Sequence, residues 1–320
     1  MNTTELTLEI LRKCPNGISG ETIAEELGLS RNAVWKAIGE LRANGFTVEA
    51  SSGRGYLLKG EKYITVPLLE KYLNMKHPLY TYRSASSTND LAKAGAESGA
   101  EEGSVFIADS QTSGRGRTGK SFYSPDGTGI YMTIVLRPKM AATEALKITT
   151  CAAVAVADAI FEVTGKRLGI KWVNDLFCDN KKVCGILTEA SFNMETGGLS
   201  YALLGIGIDV FAPKDGFGEL SDIAGALYPY SDNTAELRCR IAGAVCNKFF
   251  EYYNDMEAGE LFEKYRSRLF ILGKKITVIK GAEKHAATVL GLEKDYKLIV
   301  RYQNGEVESL SSGEISIIPD

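Results

Sequence analysis

The chain has 320 residues, 44% hydrophobic and 24% charged, with a formal net charge of -3. That length exceeds one small domain and fits two or three. The slight acidity excludes a chain-wide basic surface, so any nucleic-acid contact must be local.

Residues 1 to about 62 read as three short helices followed by a β-ribbon. Leu6, Leu8, Ile10 and Leu11 begin the first helix, and Ser19 is placed to N-cap Gly20–Leu27. Gly28-Leu29-Ser30 makes a tight turn, with Ser30 capping Arg31–Asn44. On that helix Val34, Ala37, Ile38 and Leu41 recur at helical spacing and form an inner face. Gly45 ends it, and residues 46–58 read as a hairpin or wing turning at Ser51-Ser52-Gly53-Arg54-Gly55. Pro67 opens the next helix after a linker.

Residues 65 to about 268 mix α and β signals. Strands are predicted at Val105–Ala108, Ile130–Leu136, Gly169–Trp172, Val183–Ala190 and Tyr201–Val210, and helices at Asn89–Glu97, Glu144–Val163 and Ala235–Asp255. The Ala-rich helix 144–163 carries only Asp158 as a charge on its central stretch, so it is expected against a sheet. From Leu269 the pattern becomes short strands (Lys275–Ile279, Ala286–Leu292, Leu298–Tyr302, Glu306–Leu310, Ile315–Ile318) punctuated by glycines that include Gly281, with a hairpin turn at Asn304-Gly305. That predicts a small all-β barrel.

No apolar run approaches a membrane-spanning length. The start MNTTELTLEILRK lacks the features of a secretory leader, so the expected location is the cytoplasm, with no membrane partner. Six cysteines stand singly without a C-x-x-C pair, which favours buried free thiols over a zinc site or disulfides. With only His77 and His285, a Ser-His-Asp triad or a histidine-rich metal site has little to be built from.

In a helix-turn-helix the second helix enters the major groove and its first turn reaches the bases. Ser30, Arg31, Asn32, Trp35 and Lys36 lie on its outward side, and Arg54 at the ribbon tip could reach a groove or a phosphate. Arg31, Lys36 and Arg42 oppose one anion, Glu40, which suits phosphate contact. Trp35 could instead pack against the wing. The bland alternative is a helical protein-interaction domain with a solvated charged face. DNA binding would call for a dimer, because one helix reads only a few base pairs.

Gly114-Arg115-Gly116-Arg117-Thr118-Gly119-Lys120 satisfies G-x-G-x-x-G, but the chain runs on as Lys120-Ser121-Phe122-Tyr123-Ser124-Pro125-Asp126-Gly127, a loop rather than the helix a dinucleotide site needs. It is not a Walker A loop either. The reading is a disordered glycine-rich loop that orders over an anion, its glycines permitting close approach and its cations supplying charge. A surface loop with chance basic residues is the alternative. Ser86-Ser87-Thr88-Asn89-Asp90 places hydroxyls and an amide before a helix, Gln111 precedes the loop, and Lys171 sits at a strand end before Trp172 and Asn174-Asp175. A rigid lysine beside an arginine-rich loop could stabilise charge on a transferring phosphorus centre.

These segments resemble the biotin–protein ligases, specifically the bifunctional type that also represses biotin operons. The resemblance is carried by Ser87-Thr88-Asn89, QTSGRGRTGK (Gln111 to Lys120), KWVNDL (Lys171 to Leu176), VCGILTE (Val183 to Glu189) and LGIGIDV (Leu204 to Val210), in order and at matching spacing. It implies an α+β multidomain chain. A winged helix-turn-helix would occupy residues 1–64, a class II synthetase-like ligase domain 65–268, and an SH3-like barrel 269–320.

It also implies a biotin–[acetyl-CoA-carboxylase] ligase that uses biotin and ATP with Mg²⁺ but no dedicated protein metal site. The enzyme forms biotinyl-5′-adenylate and passes biotin to a lysine of biotin carboxyl carrier protein, of acetyl-CoA carboxylase or another biotin carboxylase system. Biotin would be held by Ser87, Thr88, Asn89, Gln111, Arg115, Gly116, Arg117, Lys171, Gly185 and Ile186. ATP would be held by Arg117, Lys120, Phe122, Asn174 and Asp209, with Lys171, Arg117 and Arg115 carrying the chemistry. The adenylate would favour a homodimer that binds operator DNA of biotin genes.

The chain departs from the family pattern at Asp209 (often Asn), Phe122 (often Trp) and Val173 (commonly Pro). A sensor repressor without ligase activity, and a ligase without DNA binding, stand as alternatives.

Overall fold

The computed structural model describes residues 2–141, 144–192, 198–231, 234–256, 259–280, 283–311 and 313–317. Three helices lead: α1 (Thr3–Lys13), α2 (Gly20–Leu27) and α3 (Arg31–Ala43). Asn2 and Glu5 form a capping box on α1, while Ser19 and Ser30 each accept a backbone N–H at the starts of α2 and α3. The inner face of α3 is buried at Val34, Ala37, Ile38 and Leu41, and closes a small core of its own with Ile10, Leu11, Ile23 and Val48. The antiparallel ribbon β1 (Phe46–Ser51) and β2 (Gly55–Glu61) follows.

This N-terminal unit is joined to the rest through Tyr63. Arg83 lies 3.6 Å over the Tyr63 ring and donates to the Asn44 carbonyl at 2.7 Å. A side chain on Gly45 (φ 86°) would collide with that ring, so the closeness of this joint demands glycine.

The central region runs α4 (Val66–Glu70), β3 (Leu79–Tyr82), α5 (Thr88–Glu97), β4 (Val105–Ala108), β5 (Gly129–Leu136), α6 (Ala145–Thr164), β6 (Gly169–Lys171), β7 (Asp175–Cys178), β8 (Lys181–Phe192), β9 (Leu199–Asp209), α7 (Ala235–Tyr253) and α8 (Gly259–Arg268). Seven strands form one sheet in the order β3-β4-β5-β9-β8-β7-β6. Only β3 and β4 pair in parallel. The small side chains of α6 let it bury nearly its whole length with α7 on one sheet face. α5 packs on the other face through Ala92 and Ala96 against Phe106, Val135 and Leu203.

The strand period of two sorts the central strands. Ile130, Met132, Ile134, Cys184, Ile186, Leu204, Ile206 and Ile208 join the main core. The alternate positions Tyr131, Thr133, Gly185, Leu187, Glu189, Gly205, Gly207 and Asp209 therefore face the α5 side, where the site lies.

The C-terminal region is an antiparallel five-stranded sheet, ordered β13-β12-β11-β10-β14, of β10 (Lys275–Lys280), β11 (Glu283–Leu292), β12 (Leu298–Tyr302), β13 (Val307–Leu310) and β14 (Glu314–Ile317). Its inner residues Ile276, Val278, Val289, Leu298 and Val300 continue the main core. Gly305 turns β12 into β13 with φ 89°.

Several sequence expectations need amendment. β3, β7 and α8 were not foreseen, β6 stops at Lys171 rather than Trp172, and β11 starts at Glu283. Gly281, Ile318 and the two chain ends, residues 1 and 320, lie outside the described residues. The cysteines are free as expected: Cys151, Cys184, Cys239 and Cys246 are buried, and Cys14 and Cys178 partly so.

Candidate active site

One cavity opens on the α5 side of the sheet, floored by β5, β9 and β8 and roofed by the glycine-rich loop. Cross-strand register sets Tyr131 beside Gly207 and Gly207 beside Gly185, with Thr133 beside Gly205 and Gly205 beside Leu187 in the next row. The strand glycines make room. A Cβ on Gly205 would stand 2.5 Å from Asn89 Oδ1, and one on Gly207 would stand 2.6 Å from the Phe122 ring. Here lies the physical reason for two glycines inside LGIGID, which the sequence shows only as a pattern.

At one end the polar head is built by the start of α5. Ser87 is the N-cap, and Thr88 and Asn89 are only 3% and 4% exposed. Thr88 donates its N–H to Gln111 Oε1 at 2.9 Å, and Gln111 Nε2 donates to Ser124 Oγ at 2.8 Å. Asn89 Nδ2 donates to Glu189 Oε2 at 2.6 Å, and Thr133 Oγ1 donates to Asn89 Oδ1 at 2.5 Å. Fixed neutral donors and acceptors of this kind suit a neutral amide-like head group.

At the other end stand the cations. Arg117 donates to Asn174 Oδ1 at 3.0 Å and to the Gly313 carbonyl at 3.2 Å. Burial pulls its guanidinium below the ordinary arginine value, against Asp175. Lys171 is half-buried at the end of β6. Burial pulls its ammonium below the ordinary lysine value, Asp175 opposing and Lys182 and Lys120 adding to the effect. Lys182 pairs with Asp175 at 2.7 Å. Such a desolvated cluster can bind a polyanion and stabilise charge building up on a phosphorus centre.

The loop itself forms a small hairpin. Gly116 N–H bonds to the Lys120 carbonyl at 2.6 Å and Phe122 N–H to the Gly114 carbonyl at 2.8 Å, around a tight turn at Arg117–Gly119. Arg115 fastens it from outside, 2.9 Å from Asp90 and 3.0 Å from Glu189.

Of the expected residues, Ser87, Thr88, Asn89, Gln111, Arg115, Gly116, Arg117, Lys120, Phe122, Lys171, Asn174, Gly185 and Ile186 all line this cavity. Three behave differently from expectation. Ile186 points its side chain into the main core and offers backbone, its carbonyl accepting from Asn174 Nδ2 at 2.9 Å. Asn174 is thereby held at both ends and positions Arg117. Asp209 lies beyond the lining, buried beside Gly129. Burial raises its carboxyl well above the ordinary range despite Lys182.

Sequence reasoning missed Tyr131, Thr133, Leu187, Glu189, Gly205, Gly207 and Lys182. Alternation along VCGILTE and LGIGIDV is the signal that could have found the β8 and β9 members. Among the described residues no group of three or more His, Cys, Asp or Glu could cage a metal.

On the N-terminal unit, Arg31, Asn32, Lys36 and Arg54 are exposed, with Arg54 at the tip of the β1–β2 ribbon. Ser30 Oγ caps α3, accepting from Ala33 N–H at 3.2 Å. Trp35 is 65% exposed and so does not pack on the ribbon. Arg42 bonds the Val48 carbonyl at 2.9 Å, a structural task beside any phosphate contact. No helix of the described residues is long and apolar enough to cross a membrane.

Comparison with known proteins bears on both units. The model of the "Biotin/lipoate A/B protein ligase family" matches residues 80–209, and that of an "HTH domain" matches residues 4–57. The chain is 40% identical over 217 residues to the bifunctional ligase/repressor BirA of Bacillus subtilis, covering 66% of each. It is 29% identical over 222 residues to BirA of Escherichia coli, covering 66% of this chain and 65% of that one. The alignments thus span just under two thirds of these relatives' length. Biotin protein ligase from Aquifex aeolicus, solved in complex with biotin and ATP, superposes with a TM-score of 0.62 at 25% identity, over 76% of this chain and 99% of that one.

Proposed function

The chain belongs, through residues 80–209, to the biotin/lipoate A/B protein ligase family, and from that premise we propose that it is an ATP-dependent biotin–protein ligase that also acts as a biotin-responsive transcriptional repressor. The observation that carries the ligase reading is one cavity with the Thr88–Asn89–Gln111 network at one end and Arg117, Lys120 and Lys171 at the other. A neutral ureido ring fits the first end, and the second gathers a carboxylate and a triphosphate that would otherwise repel.

A biotin carboxylate oxygen attacks the α-phosphorus of ATP, forming the O–P bond of biotinyl-5′-adenylate as the bond to pyrophosphate breaks. Lys171 lies between the two anions and neutralises charge at the phosphorus. Arg117, held by Asn174, lies over the phosphates, and Arg115 holds the loop closed against water. The amine of a carrier-protein lysine then attacks the anhydride carbonyl, giving the amide and releasing AMP and a proton. Phe122, against Gly207, is the aromatic surface on the nucleotide side, and Asp209 is buried farther along β9, beside Gly129.

Mg²⁺ would come with ATP. Asp175 lines the cavity and would serve as its protein ligand by exchanging its Lys182 partner for the ion, since one carboxylate plus phosphates is an ordinary magnesium set. The bound ion supplies charge neutralisation on the phosphates.

The same reading assigns residues 1–64 to a winged helix-turn-helix, 65–268 to the ligase domain and 269–320 to an SH3-like barrel. Ser30 would start the recognition helix, with Arg31, Asn32, Trp35, Lys36 and Arg54 facing operator DNA. The adenylate would favour a homodimer, whose two helices would meet paired half-sites. The carrier is biotin carboxyl carrier protein, and the location is cytoplasmic. Biotin-dependent exchange of labelled pyrophosphate into ATP tests the first step. Exchange that appears only with biotin is expected, and its absence in protein that binds biotin would remove the ligase activity.

A further inference from the structure

The polar residues of the head-group pocket and the roof loop form one connected chain. Arg115, in the loop, donates to Glu189 Oε2 at 3.0 Å. That same oxygen accepts from Asn89 Nδ2 at 2.6 Å. Asn89 Oδ1 lies 2.5 Å from Thr133 Oγ1, which is 2.9 Å from Thr88 Oγ1. Thr88 bonds Gln111, Gln111 bonds Ser124, and Ser124 Oγ donates to the Phe122 carbonyl at 3.0 Å, back in the loop. The circuit leaves the loop at Arg115 and returns to it at Phe122. Its one ionised member outside the loop is Glu189, on the site face of β8 and one strand away from Leu203.

We propose that Glu189 is a positioning residue that latches the glycine-rich loop to the head-group residue Asn89, so that the roof stays closed over the occupied pocket. This rests on the ligase reading above. Glu189 touches no reacting atom. It fixes the amide of Asn89 through one hydrogen bond and the Arg115 guanidinium through a charge-assisted one, and charge-assisted bonds are the stronger kind. Asp90, 2.9 Å from Arg115, gives the guanidinium a second carboxylate and fixes its direction. Loss of the Glu189 charge loosens the roof while the pocket's neutral bonds persist.

The test uses the full chain, synthetic biotinyl-5′-adenylate, and three variants: Glu189→Gln, Arg115→Ala and the double variant. Glutamine keeps an acceptor for Asn89 and the shape of the side chain, so the fold survives. With the two side chains 40% and 38% exposed, losing this ion pair corresponds to about two- to fivefold. Glu189→Gln is expected to release the adenylate about two- to fivefold faster, with biotin affinity changed by less than about twofold. Arg115→Ala, which also loses Asp90, should release at least as fast, and the double variant should be no faster than Arg115→Ala, because Glu189 acts on the loop only through Arg115. Unchanged release in Glu189→Gln, or additive effects in the double variant, overturns the latch. Wild-type protein that fails to bind the adenylate at all would instead overturn the ligase reading on which it rests.

Discussion

Alanine at position 205 puts a methyl group where β9 passes closest to Asn89. The new Cβ would lie 2.5 Å from Asn89 Oδ1, whereas ordinary contact begins near 3.4 Å, so the amide must retreat by about 0.9 Å. It has nowhere easy to go. Asn89 is 4% exposed, its nitrogen is tied to Glu189, and its oxygen is tied to Thr133. Breaking one such buried bond costs about 1–3 kcal/mol, which is about 5- to 150-fold in affinity if the head group needs that geometry. The backbone gain from losing a flexible glycine in a strand, about 0.5–1 kcal/mol, offsets only part of that cost. Titration calorimetry of biotin against Gly205→Ala is therefore expected to show affinity weakened by about 10- to 100-fold, in a protein that still folds with its melting temperature lowered by a few degrees. Biotin binding within twofold of wild type, in folded protein, would refute the placement of Asn89 in the head-group pocket.

Three further outcomes are expected. The depressed Lys171 ammonium should give adenylate formation an alkaline limb below the ordinary lysine range. Because the folded state disfavours that charge, stability from this residue rises with pH through the same window, so the limb is not unfolding. Lys171→Arg should move it to higher pH, and a limb that stays put would reassign it. Arg238→Met should destabilise the chain by about 3–5 kcal/mol in denaturant unfolding, because it leaves buried Asp109 unpaired. A loss under about 1 kcal/mol would count against that pair as the staple of the linker at Lys62 and Ile64. Arg54→Ala should lower the salt slope of operator binding by about 0.9 if the ribbon tip meets a phosphate. An unchanged slope would remove that contact.

The local signals in the sequence translated well where one element decides its own structure. Ser19 and Ser30 cap the helices expected of them, and Val34, Ala37, Ile38 and Leu41 are the buried face of α3. The loop and KWVNDL were read from cations and glycines, and the fold brings Arg117, Lys120 and Lys171 around one cavity. What the sequence concealed is long-range. Glu189 stands 100 positions from Asn89, and no local pattern joins them. Gly205 and Gly207 are legible as glycines, but Asn89 and Phe122 above them are the reason. Asn174 looked like a ligand because polar residues after a lysine suggest one, yet both ends of its amide hold protein. The four-residue strands β3 (LYTY) and β7 (DLFC) lack the unbroken apolar run that declares the equally short β4 (VFIA).

The most direct test is transfer of labelled biotin, from biotin and ATP, to an apo carboxyl-carrier domain by the wild type and by Lys171→Ala. Wild-type transfer, with a loss of about 10²–10³ in a folded Lys171→Ala protein, is the predicted result. Near-normal transfer by the variant, or none by a wild type that binds biotin, would contradict the account.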